Sequence, residues 1–162
     1  MSPGLRGWAV TACFVAAAAP LLGSSSGRSE ASTSFLALAI ENIGPQDRTI
    51  PPLVIHASGE QARVAGLAGA PVGAEWAEIP AESFEMLAAR LDAEFFRAGR
   101  DDPNASARAG SHRFTLLGEE TPRGLRLDPD RSAALMRRAL ELLPSGSARS
   151  EVARRLSMIL LE

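Results

Sequence analysis

"LVIHASGEQARVAGL", residues 53–67, decides what kind of sheet this chain builds. Its first half is an apolar run rich in β-branched side chains. Its second half carries Val64 among short ones, and Gly59-Glu60 stands between the two. A Gly-X pair suits the two-residue type II′ turn that joins antiparallel strands. The stretch therefore reads as a hairpin, with strands over 53–58 and 61–67, and commits the sheet to antiparallel pairing.

Working outward, FLALAIENI (35–43) fits a buried helix turn or a strand; its shortness and the stop at Gly44-Pro45 favour a strand, with GPQDRTIPP a loop after it. Beyond the hairpin, Gly66, Gly69, Pro71 and Gly73 mark a flexible loop that ends in a short apolar segment over 76–79. The clearest helix spans 80–98. Pro80 fits its first position, Glu82 and Glu85 complement its positive end, and Gly99 stops it. Phe84, Leu87, Ala88, Leu91, Phe95 and Ala98 recur at three and four, which gives one buried face, with Arg90 and Glu94 paired on the outside. Such an aromatic stripe is core rather than a cofactor box.

Residues 99–111 read as a long polar loop and the place to expect disorder. A second hairpin follows, 114–117 with 125–127 across GEETPRG. Asp128 then caps a helix with Pro129 in its first position, running to Leu143 before Pro144. A last helix over 148–161 would bury Val152, Leu156, Ile159 and Leu160. Strands, helix, strands, helices is the order of an α+β fold: a small antiparallel sheet packed on one face by two to three helices. No repeat with a period of 20–50 residues is visible beyond a loose hairpin-then-helix duplication.

The first thirty residues carry an address. MSPGLRG is positive and free of acid, and the apolar run over 8–22, broken by Thr11 and Pro20, is shorter than the roughly 20 residues a bilayer core requires. Small residues follow from Gly23 to Gly27. The pattern is that of a secretory signal peptide over 1–26, cut between Gly23 and Ala31, then a polar leader over 27–34 and one domain over 35–162. Val10-Thr11-Ala12-Cys13 resembles a lipobox, but six residues between Arg6 and Cys13 are too few for the apolar region, and that region continues to Leu22. Retention of residues 8–22 as a membrane anchor is the other reading. The expected location is secreted or periplasmic.

About 135 residues remain after cleavage, enough for one self-sufficient core. Cys13 is the only cysteine, so the mature chain forms no internal disulfide. All 17 basic residues are arginine, and the net charge of −2 with interspersed signs offers no stripe for nucleic acid. Without lysine there is no phosphate-binding Walker loop, Schiff base or pyridoxal site. Without a mature cysteine there is no thiol nucleophile, zinc ribbon or thiolate-held iron–sulfur cluster. The glycines at 66, 69 and 73 miss the dinucleotide-loop spacing.

Three motif matches have plainer explanations. Gly23-Ser24-Ser25-Ser26-Gly27 fits the nucleophile-elbow pattern around Ser25, but it follows a signal sequence rather than a core strand. Asp128-Pro129-Asp130 opens like a calcium loop, yet the sixth and twelfth positions are Ala133 and Ala139. Asn104-Ala105-Ser106 is a glycosylation acceptor in form. His56 and His112, the two histidines, sit on strands; a metal site would need both to converge with a carboxylate such as Glu41 or Glu78, and a buried, hydrogen-bonded histidine is the expected state of each. Glu119-Glu120 and Asp101-Asp102 read as solvated turn charges. No residue is singled out as catalytic, and neither cofactor nor metal is expected.

FEMLAARLDAEFF, HRFTLLGEE, GLRLDPD and RRALELL, spread over 84–143, set out a helix, a hairpin and a helix. With the 53–67 hairpin this layout resembles the small emfourin-type protease-inhibitor domains, in which a helix ending in Phe-Phe precedes a hairpin and a last helix. The chain differs by an N-terminal strand, the 99–111 loop and a final helix. Protease inhibition is what the resemblance implies, and no inhibitory residue transfers with it.

The reading that follows is a non-enzymatic protein-binding module, engaging an envelope or extracellular protein through the loops 66–74 and 99–111. The alternatives are an inhibitor of a secreted protease, a hydrolase whose carboxylate or His56/His112 site assembles only in three dimensions, and a membrane-anchored accessory protein.

Overall fold

The structure, a computed structural model, describes residues 34–45 and 50–161. The address segment, with Cys13 and Ser25, lies outside the described residues. Five strands, β1 (Phe35–Asn42), β2 (Leu53–Ala57), β3 (Glu75–Ile79), β4 (His112–Gly118) and β5 (Arg123–Leu127), form one sheet in the order β3-β2-β1-β4-β5. Three pairings are antiparallel and one, β2 with β3, is parallel. The fold is α+β, with a mixed sheet where the sequence led us to expect an antiparallel one.

The mixed pairing originates at 53–67. Gly59, at φ +83°, turns the chain out of β2 with the Glu60 amide donating to the Ala57 carbonyl, and helix α1 (Gln61–Ala65) follows in place of a second strand. Gln, Ala and Arg favour helix, and only Val64 of this segment is buried, too little apolar surface to hold a strand. Residues 66–74 then cross one face of the sheet, and β3 enters beside β2 in the same direction, as a crossover of this length allows. The loop expected to be flexible is thus a cover: Leu67, Ala70 and Ala74 pack with Trp76 on Leu36, Ala37, Ala39, Val54, Val64 and Leu117.

The other face carries the main core. Leu38, Ile40, Leu53, Ile55, Phe114 and Leu116 meet helices α2 (Ala81–Leu91), α3 (Pro129–Leu142) and α4 (Ser147–Leu161). Because β1 and β2 are covered on both sides, their apolar runs are nearly continuous rather than alternating. Each large side chain sealed there contributes about 1.5–3 kcal/mol. Helix α2 packs on β1 and β2, α3 on α2 and β5, and α4 on α3 and β3.

The long helix expected over 80–98 is shorter and changes pitch. Pro80 is its N-cap, regular α-helix ends at Leu91, and Asp92–Phe96 forms a π-helical turn. The wider turn leaves Phe95 half-buried and Ala98 exposed, and swings the Asp92 carboxylate inward, 2.6 Å from Arg123 Nη1 and 2.7 Å from Arg97 Nε. Arg90 and Glu94 do pair, at 3.9 Å, but the closer partner of Glu94 is Arg138 on α3, at 2.8 Å. The α3 boundary matches expectation: the Arg131 amide donates to Asp128 Oδ1 at 3.0 Å, and Pro129 follows the cap. In α4, Val152 and Leu156 are buried, whereas Leu160 is exposed.

Residues 99–111 are laid along β5. The Arg126 amide donates to Asp101 Oδ1 and the Asp102 amide donates to the Arg126 carbonyl, at 2.7 and 2.9 Å, while a 3₁₀ turn at Ala105–Ala107 buries Ala105. Asp101, expected as a solvated turn charge, therefore caps a strand edge, and Arg126 holds its carboxyl below the usual carboxylate range chiefly through a side-chain hydrogen bond. Among the described residues no helix is long and apolar enough to cross a membrane.

Candidate functional site

The two histidines do not converge. His56 faces the α1 side with Val54; its Nδ1 lies 2.9 Å from the Ala57 carbonyl oxygen, which makes that nitrogen the donor, and its ring meets Trp76 edge-on at 5.7 Å. His112 faces the helices with Phe114 and Leu116, its Nδ1 donating to the Gly110 carbonyl at 2.9 Å and its backbone amide to Ser132 Oγ at 3.2 Å. On β1 their neighbours are Ala37 and Asn42, an odd number of residues apart, so the rings stand on opposite faces of the sheet. Glu41 pairs with Arg113, and Glu78 accepts from the Ser58 hydroxyl. No group of three or more His, Cys, Asp or Glu side chains among the described residues could hold a metal ion. Of the remaining acids, Asp102 receives the Asn104 amide, Glu119 pairs with Arg63, and Glu120 is exposed.

A concave feature of the described surface lies elsewhere, between the outer edge of β3 and the first half of α4. It is a cavity of about 350 Å³ with Leu53 and Ala77 at its base and Glu75 and Trp76 along the strand side. Helix α4 supplies Ser147, Ser150, Glu151 and Arg154 to the opposite wall. Short side chains at Ala77 and Ser147 leave the space open.

A buried arginine fixes that wall. Arg155 is fully enclosed; its Nε donates to Glu151 Oε1 at 3.0 Å, Nη1 to Asn42 Oδ1 at 3.2 Å and Nη2 to the Pro51 carbonyl at 2.6 Å. One side chain thus ties α4 to the end of β1 and to the segment entering β2. Burial pulls its guanidinium below the ordinary value, and Glu151 opposes that shift. The Glu151 carboxyl lies below its ordinary value in turn, first through its hydrogen bond to Arg154 and then through the charges of Arg155 and Arg154, against the cost of desolvation. The groove consequently presents fixed charges on a rigid helix.

Its lining holds hydroxyls, two carboxylates and an arginine, with no histidine or cysteine; Trp76 reaches it only along the strand, its ring standing on the opposite face with His56. The Ser150 hydroxyl donates back to the Gly146 carbonyl at 3.1 Å, as an ordinary helix-end bond and not to a base. Recognition by shape and charge is the chemistry this set supports. Sequence reasoning nominated the loops 66–74 and 99–111 instead; the first packs Leu67, Ala70 and Ala74 on the sheet and leaves Val72 exposed, and the second borders β5 and buries Ala105. No local pattern announced the groove, because its two walls, β3 and α4, are far apart in sequence.

Comparison with protein-family models, with curated proteins and with solved structures finds no match to this chain.

Proposed function

We propose that the chain is an exported, non-enzymatic binding module that holds a partner protein in the groove between β3 and α4. The observation that carries this reading is the groove itself: an open concavity beside an uncovered sheet edge, with one wall fixed by the enclosed Arg155. Export rests on the signal-like pattern of residues 1–26. The partner is accordingly an envelope or extracellular protein. Rigid walls favour this use, because binding then orders few groups and loses little entropy.

Two measurements test the two halves. Fractionation of cells producing the full chain, with intact mass of the recovered species, should give an exported form beginning between residues 24 and 32. A membrane-bound form retaining residues 8–22 would overturn export and make the chain a membrane-anchored accessory protein. A photocrosslinking residue at Ser150 should then trap a discrete partner in the producing cells, and the same residue at exposed Glu120, in the β4–β5 turn, should not. Absence of any adduct from Ser150, or equal adducts from both positions, refutes the binding reading.

A further inference from the structure

We infer that the outer edge of β3 receives an extended, basic segment of the partner as a sixth strand. This rests on the binding-module reading and specifies its ligand chemistry.

Backbone direction alternates along a strand. The Glu75 amide donates to the Pro52 carbonyl at 2.7 Å, and the Ser58 amide donates to the Ile79 carbonyl at 2.9 Å, so the odd-numbered residues of β3 face β2. Trp76 and Glu78 therefore turn their N–H and C=O groups outward, where no described residue bonds them. The two edges of the sheet are treated differently. On β5 the outward amide and carbonyl of Arg126 are both taken by Asp101 and Asp102. On β3 the corresponding groups stay open, and the cavity of about 350 Å³ leaves room beside them for the side chains of an added strand. An open edge next to a groove is the geometry in which main-chain bonds supply affinity and alternate side chains supply specificity.

Charge selects the occupant. Glu75 stands on the groove side of β3, and Trp76 and Glu78 stand together on the opposite face. An incoming arginine or lysine beside Glu78 would meet a carboxylate and the indole face at once, which adds a cation–π contact to the ion pair. A second copy is the poorer fit. Two β3 edges side by side would line four glutamates along one short seam, and edge charges of this kind are a known barrier to self-pairing.

The test uses the full chain and two hexapeptide probes, alternating Arg-Val and alternating Glu-Val, followed by amide NMR. The Arg-Val peptide should give saturable shifts centred on the Trp76 and Glu78 amides, and the Glu-Val peptide should give none. Glu78→Pro removes an outward N–H without breaking a bond to β2, so it should weaken the Arg-Val peptide by at least about tenfold with the unfolding temperature little changed. Glu78→Arg keeps the backbone and should weaken the Arg-Val peptide similarly while admitting the Glu-Val peptide. Equal binding of both peptides, shifts that avoid β3, or concentration-dependent dimerisation through β3 each overturns the proposal. If the Ser150 adduct forms while both peptides fail at β3, the added strand falls and the binding module stands; without that adduct the module itself falls.

Discussion

Replacing Arg155 by methionine keeps an unbranched apolar stem of similar reach and deletes the guanidinium. Three acceptors then lose a donor: Glu151 Oε1, Asn42 Oδ1 and the Pro51 carbonyl. Glu151 is the least affected, because Arg154 still binds it at 2.5 Å, so no carboxylate is left alone. Asn42 and Pro51 are half-buried, and water replaces part of what they lose. Counting about 1 kcal/mol for each of those two, near the low end for an orphaned acceptor, and about 1 for the weakened Glu151 contact gives about 3 kcal/mol. Relief of the desolvated charge offsets part of this, leaving about 2–3 kcal/mol net, below the 3–5 typical of breaking an isolated buried pair. At roughly 3–4 °C per kcal/mol for a domain of this size, the unfolding midpoint should fall by about 6–12 °C. Urea denaturation of wild type, Arg155→Met and Arg155→Lys at neutral pH measures this directly, and the slope should be common to all three if only the folded state is affected. Lysine, with one point charge in place of a three-way fork, should recover less than half of the loss. Wild-type stability or better for Arg155→Met would show that the cost of burying the guanidinium equals its three bonds, and would remove Arg155 as the brace of the groove wall.

Acid should loosen the domain at three arginine-held carboxylates, one of them beside Arg155. Glu94, Asp101 and Glu151 all have pKa values lowered by arginine partners, so the unfolded chain binds more protons than the folded one below about pH 4.5. Their stabilisation is complete above that range and drains away as pH falls through the folded values; Glu151→Gln should flatten the acid limb of a stability-against-pH curve, and an unchanged limb would count against the assignment. Gly99→Ala should destabilise by about 1–3 kcal/mol, because a Cβ there would run into the Phe95 carbonyl and come within 2.7 Å of Leu125 Cδ1; thermal melting at wild-type stability would show that the chain relaxes locally. Asp128→Ala removes the side-chain bond to the Arg131 amide and should cost about 1 kcal/mol, read as a shift in the urea midpoint.

Much of the architecture was legible wherever local chemistry and burial agree. The Asp128-Pro129 cap, the α2 stripe of Phe84, Leu87 and Leu91, and the β4–β5 hairpin are all written in short-range pattern, and each is found in place. The opposite faces on which His56 and His112 stand also follow from simple alternation along their strands. The pattern misled where its amplitude was small. QARVA holds one strong apolar residue, so periodicity could not separate strand from helix, and the burial of Val64 beneath residues 66–74 settled the matter. The π-helical turn after Leu91 has no local signature, because it exists to bring Asp92 to Arg123, a residue 31 positions away.

Composition alone determined that this chain offers no lysine amine and a single thiol, at position 13. Residue pattern determined the α+β class and most element boundaries. Tertiary structure alone decided the parallel entry of β3, the covering of the β5 edge by Asp101 and Asp102, and the burial of Arg155 beneath the groove. The division has one physical cause. Caps, turns and amphipathic stripes are set by neighbours within a few residues, which a sequence displays directly. Sheet order, edge cover and the enclosure of a charge depend on partners up to 113 residues apart, as Arg155 is from Asn42, and only the assembled core brings these within bonding distance.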